Sequence, residues 1–221
     1  MNNINTITLT GADERTSLDE LLELTQLYHE VEIGLLYTEN PEGRNRYPSM
    51  DWLQRAAQVL SGRVAIHVCG SGARRRLLAG ELDALISHAP RIQVNGRIDP
   101  AELHLLARRV GTLITQHNAF NEGLMSIPVA NHSLLIDASG GRGISPDGWD
   151  VLMTQKPVGR AGGMGPDNLT AELETFAVDA RNGAWVDMEG KLRTDDWFDL
   201  DTARRCAATF RLTTVAAGAG R

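Results

Sequence analysis

An acidic residue stands where a short apolar segment meets a glycine-rich one. Asp137 follows the apolar segment 134–136 and precedes a loop that contains Gly140, Gly141 and Gly143. A carboxyl group at the end of an apolar strand is partly desolvated, which raises its pKa and suits it to proton donation. We therefore predict that Asp137 is a general acid; capping of its own loop is the alternative.

A second glycine cluster follows another apolar segment. Gly162, Gly163 and Gly165 stand just before a Pro-Asp pair and a segment of helical period. Glycine lets a ligand approach the backbone closely, and the first turn of a helix offers unpaired N–H groups to an anion. We predict a phosphate site at this turn, to which Gly141 of the first cluster also contributes. A plain tight turn is the alternative.

Other polar residues end further apolar segments. Arg46 follows the second segment and suits a carboxylate ligand, although an exposed loop arginine is equally common. Gln93 and Asn95 suit a hydroxyl-rich ligand, or they satisfy backbone groups. His67 and Cys69 share a strand face. A metal site needs third and fourth ligands, and the sequence offers no matching set, so we predict no metal.

These residues must be positioned by a regular alternation of apolar segments and helical patterns. Helix starts are indicated by Ser17 with Glu20 and by Asp99 before Pro100. Asp199 or Asp201 indicates the start of a last helix, which we expect to end at Phe210. Eight segments read as strands buried on both faces. They are Thr6–Leu9, Val31–Tyr37, Arg63–Val68, Arg91–Val94, Thr112–Gln116, Ser133–Asp137, Val158–Arg160 and Ala184–Asp187.

This alternation predicts an α/β fold, a single-domain (β/α)8 TIM barrel over residues 1–211. A doubly wound open sheet is the alternative, but the segment after the first strand lacks its glycine-rich phosphate motif. In a barrel, function lies at the carboxyl ends of the strands, and late-strand glycine loops are typical of a phosphate site. We expect residues 212–221 to be a frayed tail.

Composition narrows the classes of protein and partner. The chain has 221 residues with 22 Lys and Arg against 28 Asp and Glu, a net charge of −6 that does not favour nucleic-acid binding. Two distant cysteines indicate reduced thiols and no disulfide framework. The amino terminus lacks a signal-peptide pattern, and no apolar stretch is long enough for a membrane span. We therefore expect a cytoplasmic protein without a membrane partner.

In order, these landmarks resemble the phosphoribosylanthranilate isomerase family, the barrel enzymes of tryptophan biosynthesis. The resemblance covers nearly the whole chain and implies the same barrel. The matching segments are Thr10-Gly11, Arg46-Tyr47, Gln93-Val94-Asn95-Gly96, Asp137 with the loop 140–143 and Trp149, Ala161-Gly162-Gly163-Met164 with Pro166 and Asn168, and Asp187-Met188-Glu189-Gly190.

The resemblance implies an Amadori rearrangement of a small phosphorylated sugar derivative, by acid and base catalysis and without a cofactor. In that reaction an acid protonates the ribose ring oxygen and a base removes the proton at sugar C2. Asp137 matches the family's acid, Arg46 matches the residue for the substrate carboxylate, and Gly162, Gly163 and Gly190 match the phosphate cradle. We also expect Gln93, Asn95 and Asp187 to bind substrate. A homodimer is one of the two states that the family allows.

Two departures from the family pattern leave the reaction open. Thr10 stands where the family has its catalytic Cys, and a threonine hydroxyl is a poor base, so Asp13, Glu14 and Cys69 are the substitute candidates. Glu189 replaces a Ser-Ser pair beside the phosphate cradle, where its charge would repel a phosphate. The alternatives are a changed substrate or reaction on the same barrel, such as an epimerase or lyase, or a non-catalytic ligand-binding paralogue.

Overall fold

The computed structural model describes residues 3–137, 151–178, 180 and 183–219. Eight parallel strands form a closed barrel in which every strand pairs with its neighbours in chain order and β8 pairs with β1. This confirms the predicted (β/α)8 barrel. The strands are β1 Ile4–Thr10, β2 Val31–Tyr37, β3 Val64–Cys69, β4 Arg91–Asn95, β5 Thr112–His117, β6 His132–Asp137, β7 Val158–Ala161 and β8 Ala184–Met188.

All eight predicted strands are present, with ends that agree to within two residues. The apolar segments mark them well because helices cover the outer face of the barrel while side chains fill the inside. Every residue of β2 and of β3 is buried, as this packing requires.

Seven α-helices cover the barrel in the described part of the chain. They are α1 Leu18–Leu27, α2 Met50–Val59, α3 Ser71–Ala79, α4 Asp83–Ile86, α5 Pro100–Ala107, α6 Leu169–Ala177 and α7 Leu200–Ala219. The predicted capping at Ser17 is present, since its hydroxyl accepts a hydrogen bond from the Glu20 N–H. Asp99 precedes α5 at the predicted position, but its side chain makes no capping bond.

The last helix is longer than the sequence predicted. It was expected to end at Phe210, yet α7 continues to Ala219, into the segment that was expected to be a frayed tail. Its sequence there is rich in alanine, the strongest helix former, and the Thr213 and Thr214 hydroxyls donate to carbonyl groups one turn earlier. Neither α7 nor any other described helix is both long and apolar enough to cross a bilayer.

A small hairpin that the sequence did not predict follows β8. Strands β9 (Arg193–Thr194) and β10 (Trp197–Phe198) pair antiparallel. The two residues between them, Asp195 and Asp196, have φ values of 51° and 63°, as a type I′ turn requires. Two-residue strands are too short to leave a periodic pattern in the sequence.

Asp13 anchors this hairpin to the loop after β1. Its side chain is fully buried and accepts hydrogen bonds from the backbone N–H groups of Phe198, at 2.8 Å, and Arg15, at 3.1 Å. Arg193 lies 3.4 Å from the same carboxylate and donates to the Gly11 carbonyl oxygen at 2.8 Å. The oxygens of Asp13 are thus occupied within the loop, which favours an anchoring role over the predicted role of substitute base.

Replacing Asp13 should destabilise the protein strongly. Asp13→Ala leaves Arg193 and two backbone N–H groups without their buried acceptor, so the free energy of unfolding should fall by about 3 kcal/mol. Urea unfolding monitored by circular dichroism measures this loss. The control is Asp201→Ala, whose side chain is 89% exposed and which should cost less than about 0.5 kcal/mol. Equal midpoints for the two variants would contradict the anchoring role.

Candidate active site

The carboxyl ends of the strands surround a cleft of about 300 Å³. Strands β2 to β8 each contribute at least one side chain to it, together with the loops after β2, β7 and β8. The lining residues are Leu36, Arg46, Tyr47, His67, Cys69, Gln93, Asn95, Gln116, Leu135, Asp137, Ala161, Gly162, Gly163, Met164, Asp187, Met188, Glu189 and Gly190. Arg46, Gln93, Asn95, Asp137 and Asp187 are thus brought together, as the sequence predicted.

Two carboxylates lie at the same level of the barrel. Asp137 on β6 and Asp187 on β8 both pair with Ala161 of the strand between them. Two strand spacings put their Cα atoms on the order of 10 Å apart. The small Ala161 side chain and the glycine turn after it leave room for a ligand between the two acids.

Asp187 has an unusual protonation equilibrium. Burial raises the pKa of its carboxyl group to about 6, the nearby Asp137 charge acts in the same direction, and hydrogen bonding to Thr10 opposes the rise. A carboxyl group with a pKa near 6 is largely ionised at neutral pH and still basic enough to accept a proton.

Thr10 lies beneath Asp187 and is not part of the cleft lining. Its hydroxyl donates to Asp187 Oδ1 at 2.7 Å, and its side chain is buried. Gly34 on the neighbouring strand makes this position possible, since a Cβ atom there would stand 2.1 Å from Thr10 Oγ1. Thr10 is therefore connected to the cleft through its hydrogen bond to Asp187.

A chain of uncharged polar groups extends from Asp187 across the barrel. His67 Nε2 lies 3.7 Å from Asp187 Oδ2, which is too far for a hydrogen bond. Burial lowers the pKa of His67 to about 4, so the imidazole is neutral at pH 7. Gln93 Nε2 lies 3.4 Å from His67 Nδ1 and donates to Asn95 Oδ1 at 3.0 Å. These amides fix the orientation of the imidazole at the cleft floor.

Neither remaining substitute base from the sequence fits that role. Burial raises the pKa of the Cys69 thiol to about 11, and Asn95 Nδ2 donates to its sulfur at 3.3 Å. A thiol with this pKa stays protonated near neutral pH and is a poor base. Glu14 is exposed and accepts from the Ser49 N–H outside the cleft.

Arg46 already holds a carboxylate of its own chain. Its Nη1 atom lies 2.5 Å from Glu189 Oε1 in an ion pair at the cleft wall. Burial raises the pKa of Glu189, whereas the Arg46 charge lowers it. Arg193, the first residue of β9, contacts Asp13 and not Glu189.

The turn after β7 has the backbone geometry that the sequence predicted. Gly162 and Gly163 have φ values of 115° and 67°, a region that side chains rarely allow. Asn168 holds the turn, since its Oδ1 accepts from the Gly165 N–H and its Nδ2 donates to the Gly163 carbonyl. Helix α6 begins at the next residue, so its positive end lies beside the turn. Gly190 lines the same cleft, whereas Gly141 lies outside the described residues.

Gln116 is a lining residue that the sequence reading missed. Its Nε2 donates to Asp137 Oδ2 over a long 3.5 Å contact. Strand alternation could have found it, because Gln116 stands two positions after Ile114, which packs with Leu135 and Trp185 inside the barrel.

A metal is not indicated by the described residues, among which no group of three or more His, Cys, Asp or Glu side chains is arranged to hold an ion. His67 and Cys69 both line the cleft. The Cys69 thiol is protonated, however, and its sulfur accepts a hydrogen bond from Asn95.

Comparison with known proteins gives a match by structure alone. No family model matches the sequence, and no curated protein does either. The phosphoribosyl anthranilate isomerase of Thermus thermophilus superposes with a TM-score of 0.67 at 17% identity, covering 94% of this chain and 98% of that one.

Two further solved structures also superpose on this chain. A phosphoribosyl anthranilate isomerase in complex with reduced 1-(o-carboxyphenylamino)-1-deoxyribulose 5-phosphate has a TM-score of 0.67 at 14% identity, over 94% of this chain and 99% of that chain. The spore coat polysaccharide biosynthesis protein spsE of Bacillus subtilis has a TM-score of 0.65 at 9% identity, over 98% of this chain and 70% of that chain. The chain therefore has, over nearly its whole length, the barrel fold of the phosphoribosylanthranilate isomerases that its sequence landmarks resemble.

Proposed function

We propose that this protein is an isomerase that converts a small phosphorylated glycosylamine into an aminoketose by acid and base catalysis. The observation that carries the proposal is the pair Asp137 and Asp187, which flank Ala161 at one level of the barrel. An Amadori rearrangement needs two proton-transfer groups on either side of one sugar, and a pair of separated carboxyl groups can fill both roles.

Asp137 donates the proton in this proposal. Protonation of the ribose ring oxygen opens the ring and leaves an iminium group at C1. The role follows the family resemblance and fits the position of Asp137 at the cleft rim beside Gln116, whose amide contacts the carboxylate.

Asp187, which the sequence placed among the substrate-binding residues, takes the proton from sugar C2 in this proposal. Loss of this proton turns the iminium into an enolamine, which tautomerises to the aminoketose. Asp187 lines the cleft and has a raised pKa, whereas Thr10, Asp13 and Cys69 each lack either the basicity or the position. Thr10 is a positioning residue that acts through its hydrogen bond to Asp187.

The phosphate group binds at Gly162, Gly163 and Gly190 in this proposal. Backbone N–H groups and the amino end of α6 supply the attraction, since the cleft has no arginine or lysine there among its described lining residues. The solved isomerase structure with a 5-phosphate analogue supports a phosphorylated ligand for this fold, and the identity of 14% makes that support an analogy.

The first prediction for this function concerns proton exchange at C2. Ribose 5-phosphate mixed with aniline or with anthranilate forms the two glycosylamines in solution, and proton NMR in D2O follows the C2 proton. We expect the wild-type protein to exchange this proton and form an aminoketose with at least one amine. Asp137→Asn should slow the conversion by about 10²-fold or more.

The outcomes of this experiment separate the alternatives. Exchange at C2 without an aminoketose would favour an epimerase on the same barrel. Saturable binding of both glycosylamines without exchange would favour a non-catalytic paralogue, and it would contradict the proposed function.

The second prediction concerns pH. A base must be deprotonated, so kcat/KM should be low below pH 6, where Asp187 is protonated, and should rise to a plateau as the pH passes through about 6. Asp187→Asn should lower kcat/KM by about 10²-fold or more and remove this limb from the profile. An unchanged limb in the variant would exclude Asp187 as its origin.

The third prediction isolates the role of Thr10. Thr10→Val keeps the shape of the side chain and removes the donor that lowers the pKa of Asp187. The acidic limb should therefore move to higher pH, while the pH-independent rate falls much less than in Asp187→Asn. Loss of activity at every pH with no movement of the limb would instead indicate disturbed packing.

A further inference from the structure

The cleft is poor in positive charge. Among its described lining residues Arg46 is the single cation, since His67 is neutral at pH 7. Three carboxylates face it, on Asp137, Asp187 and Glu189. Within this described lining, Arg46 is the counter-charge for a ligand that brings a further carboxylate.

Arg46 already pairs with a carboxylate of its own chain. Its contact with Glu189 measures 2.5 Å, and the two side chains are only 30% and 26% exposed. Displacing Glu189 would leave its charge unpaired in a cleft that also holds Asp187, and an unpaired, partly buried charge is costly. Glu189 thus occupies the position beside Arg46 that a substrate carboxylate would take.

The rest of this wall is uncharged. Tyr47 and Leu36 line it, and burial raises the pKa of Tyr47 to about 12, so the phenol stays neutral. The protonated thiol of Cys69 and the side chain of Met188 complete the surface. Such a wall accepts an aromatic or aliphatic group without a charge.

We propose that Glu189 fills the carboxylate subsite of Arg46 and restricts the substrate to glycosylamines whose amine part carries no carboxylate. This inference rests on the proposed function and names its substrate class. It makes Glu189 a specificity-determining residue, and it changes the role of Arg46 from binding a substrate carboxylate to holding Glu189.

The test uses two stable reduced analogues that differ by one carboxylate. They are 1-phenylamino-1-deoxyribitol 5-phosphate and 1-(o-carboxyphenylamino)-1-deoxyribitol 5-phosphate, and titration calorimetry gives the Kd of each. The wild-type protein should bind the phenylamino compound about tenfold more tightly or better, because the carboxylate must compete with Glu189 for Arg46. Equal binding, or tighter binding of the carboxylated compound, would overturn the inference and leave the proposed function standing.

Glu189→Gln tests the same contact from the other side. The amide keeps the size of the side chain but frees the Arg46 charge, so the carboxylated compound should bind about tenfold more tightly than to the wild type, with the phenylamino compound little changed. Glu189→Ser is the second variant, with the same expectation. The control is Glu42→Gln, which removes an exposed carboxylate that pairs with Arg44 on the same loop and should change neither Kd.

Failure of the two proposals looks different in this experiment. If neither analogue binds the wild type or the Glu189 variants, the phosphorylated-glycosylamine function is wrong and the inference falls with it. If both analogues bind and the Glu189 variants leave their ratio unchanged, only the specificity role of Glu189 is wrong.

Discussion

The chemistry that we propose for this barrel depends on the burial of one carboxyl group, that of Asp187. Its side chain lies one residue before the end of β8, inside the barrel mouth, where loss of water raises its pKa to about 6. The surrounding structure holds it in that state: Gly34 leaves room for Thr10, Thr10 donates to one carboxylate oxygen, and a neutral His67 lies near the other. Burial and hydrogen bonding act in opposite directions on this pKa. As a result, the Asp187 carboxyl group is ionised at pH 7 and is still basic.

The proposed function requires an acidic cleft to accept a phosphorylated ligand. Its described lining holds three carboxylates and one arginine, which is paired with Glu189. Among the described residues, backbone dipoles at the glycine turn and the amino end of α6 offer attraction for a phosphate. In the specificity that we propose, the wall near Arg46 favours an amine part without charge, because Arg46 is paired with Glu189.

The fold was predictable because a (β/α)8 barrel buries its strands on both faces, so each strand appears in the sequence as an apolar segment. The polar residues at the carboxyl ends of the strands are then recognised as those that end each apolar segment. Asp137, Gln93, Asn95 and Asp187 were found in this way. The roles of Asp13 and Glu189 were not predictable, since each depends on a contact across more than a hundred residues, with Phe198 and with Arg46. The hairpin after β8 was missed because its strands are two residues long, and α7 was cut short because an alanine-rich end looked like a tail.

The basicity that Asp187 needs as a proton acceptor depends on its burial. Carbon-13 NMR of the side-chain carboxyl groups across pH 3 to 9, with Asp187→Asn used to assign the signal, measures this pKa in the intact protein. We expect the titration of the Asp187 carboxyl group to have its midpoint near pH 6. A midpoint near the ordinary value of 3.8 would mean that the group is well solvated and weakly basic, and it would contradict the account.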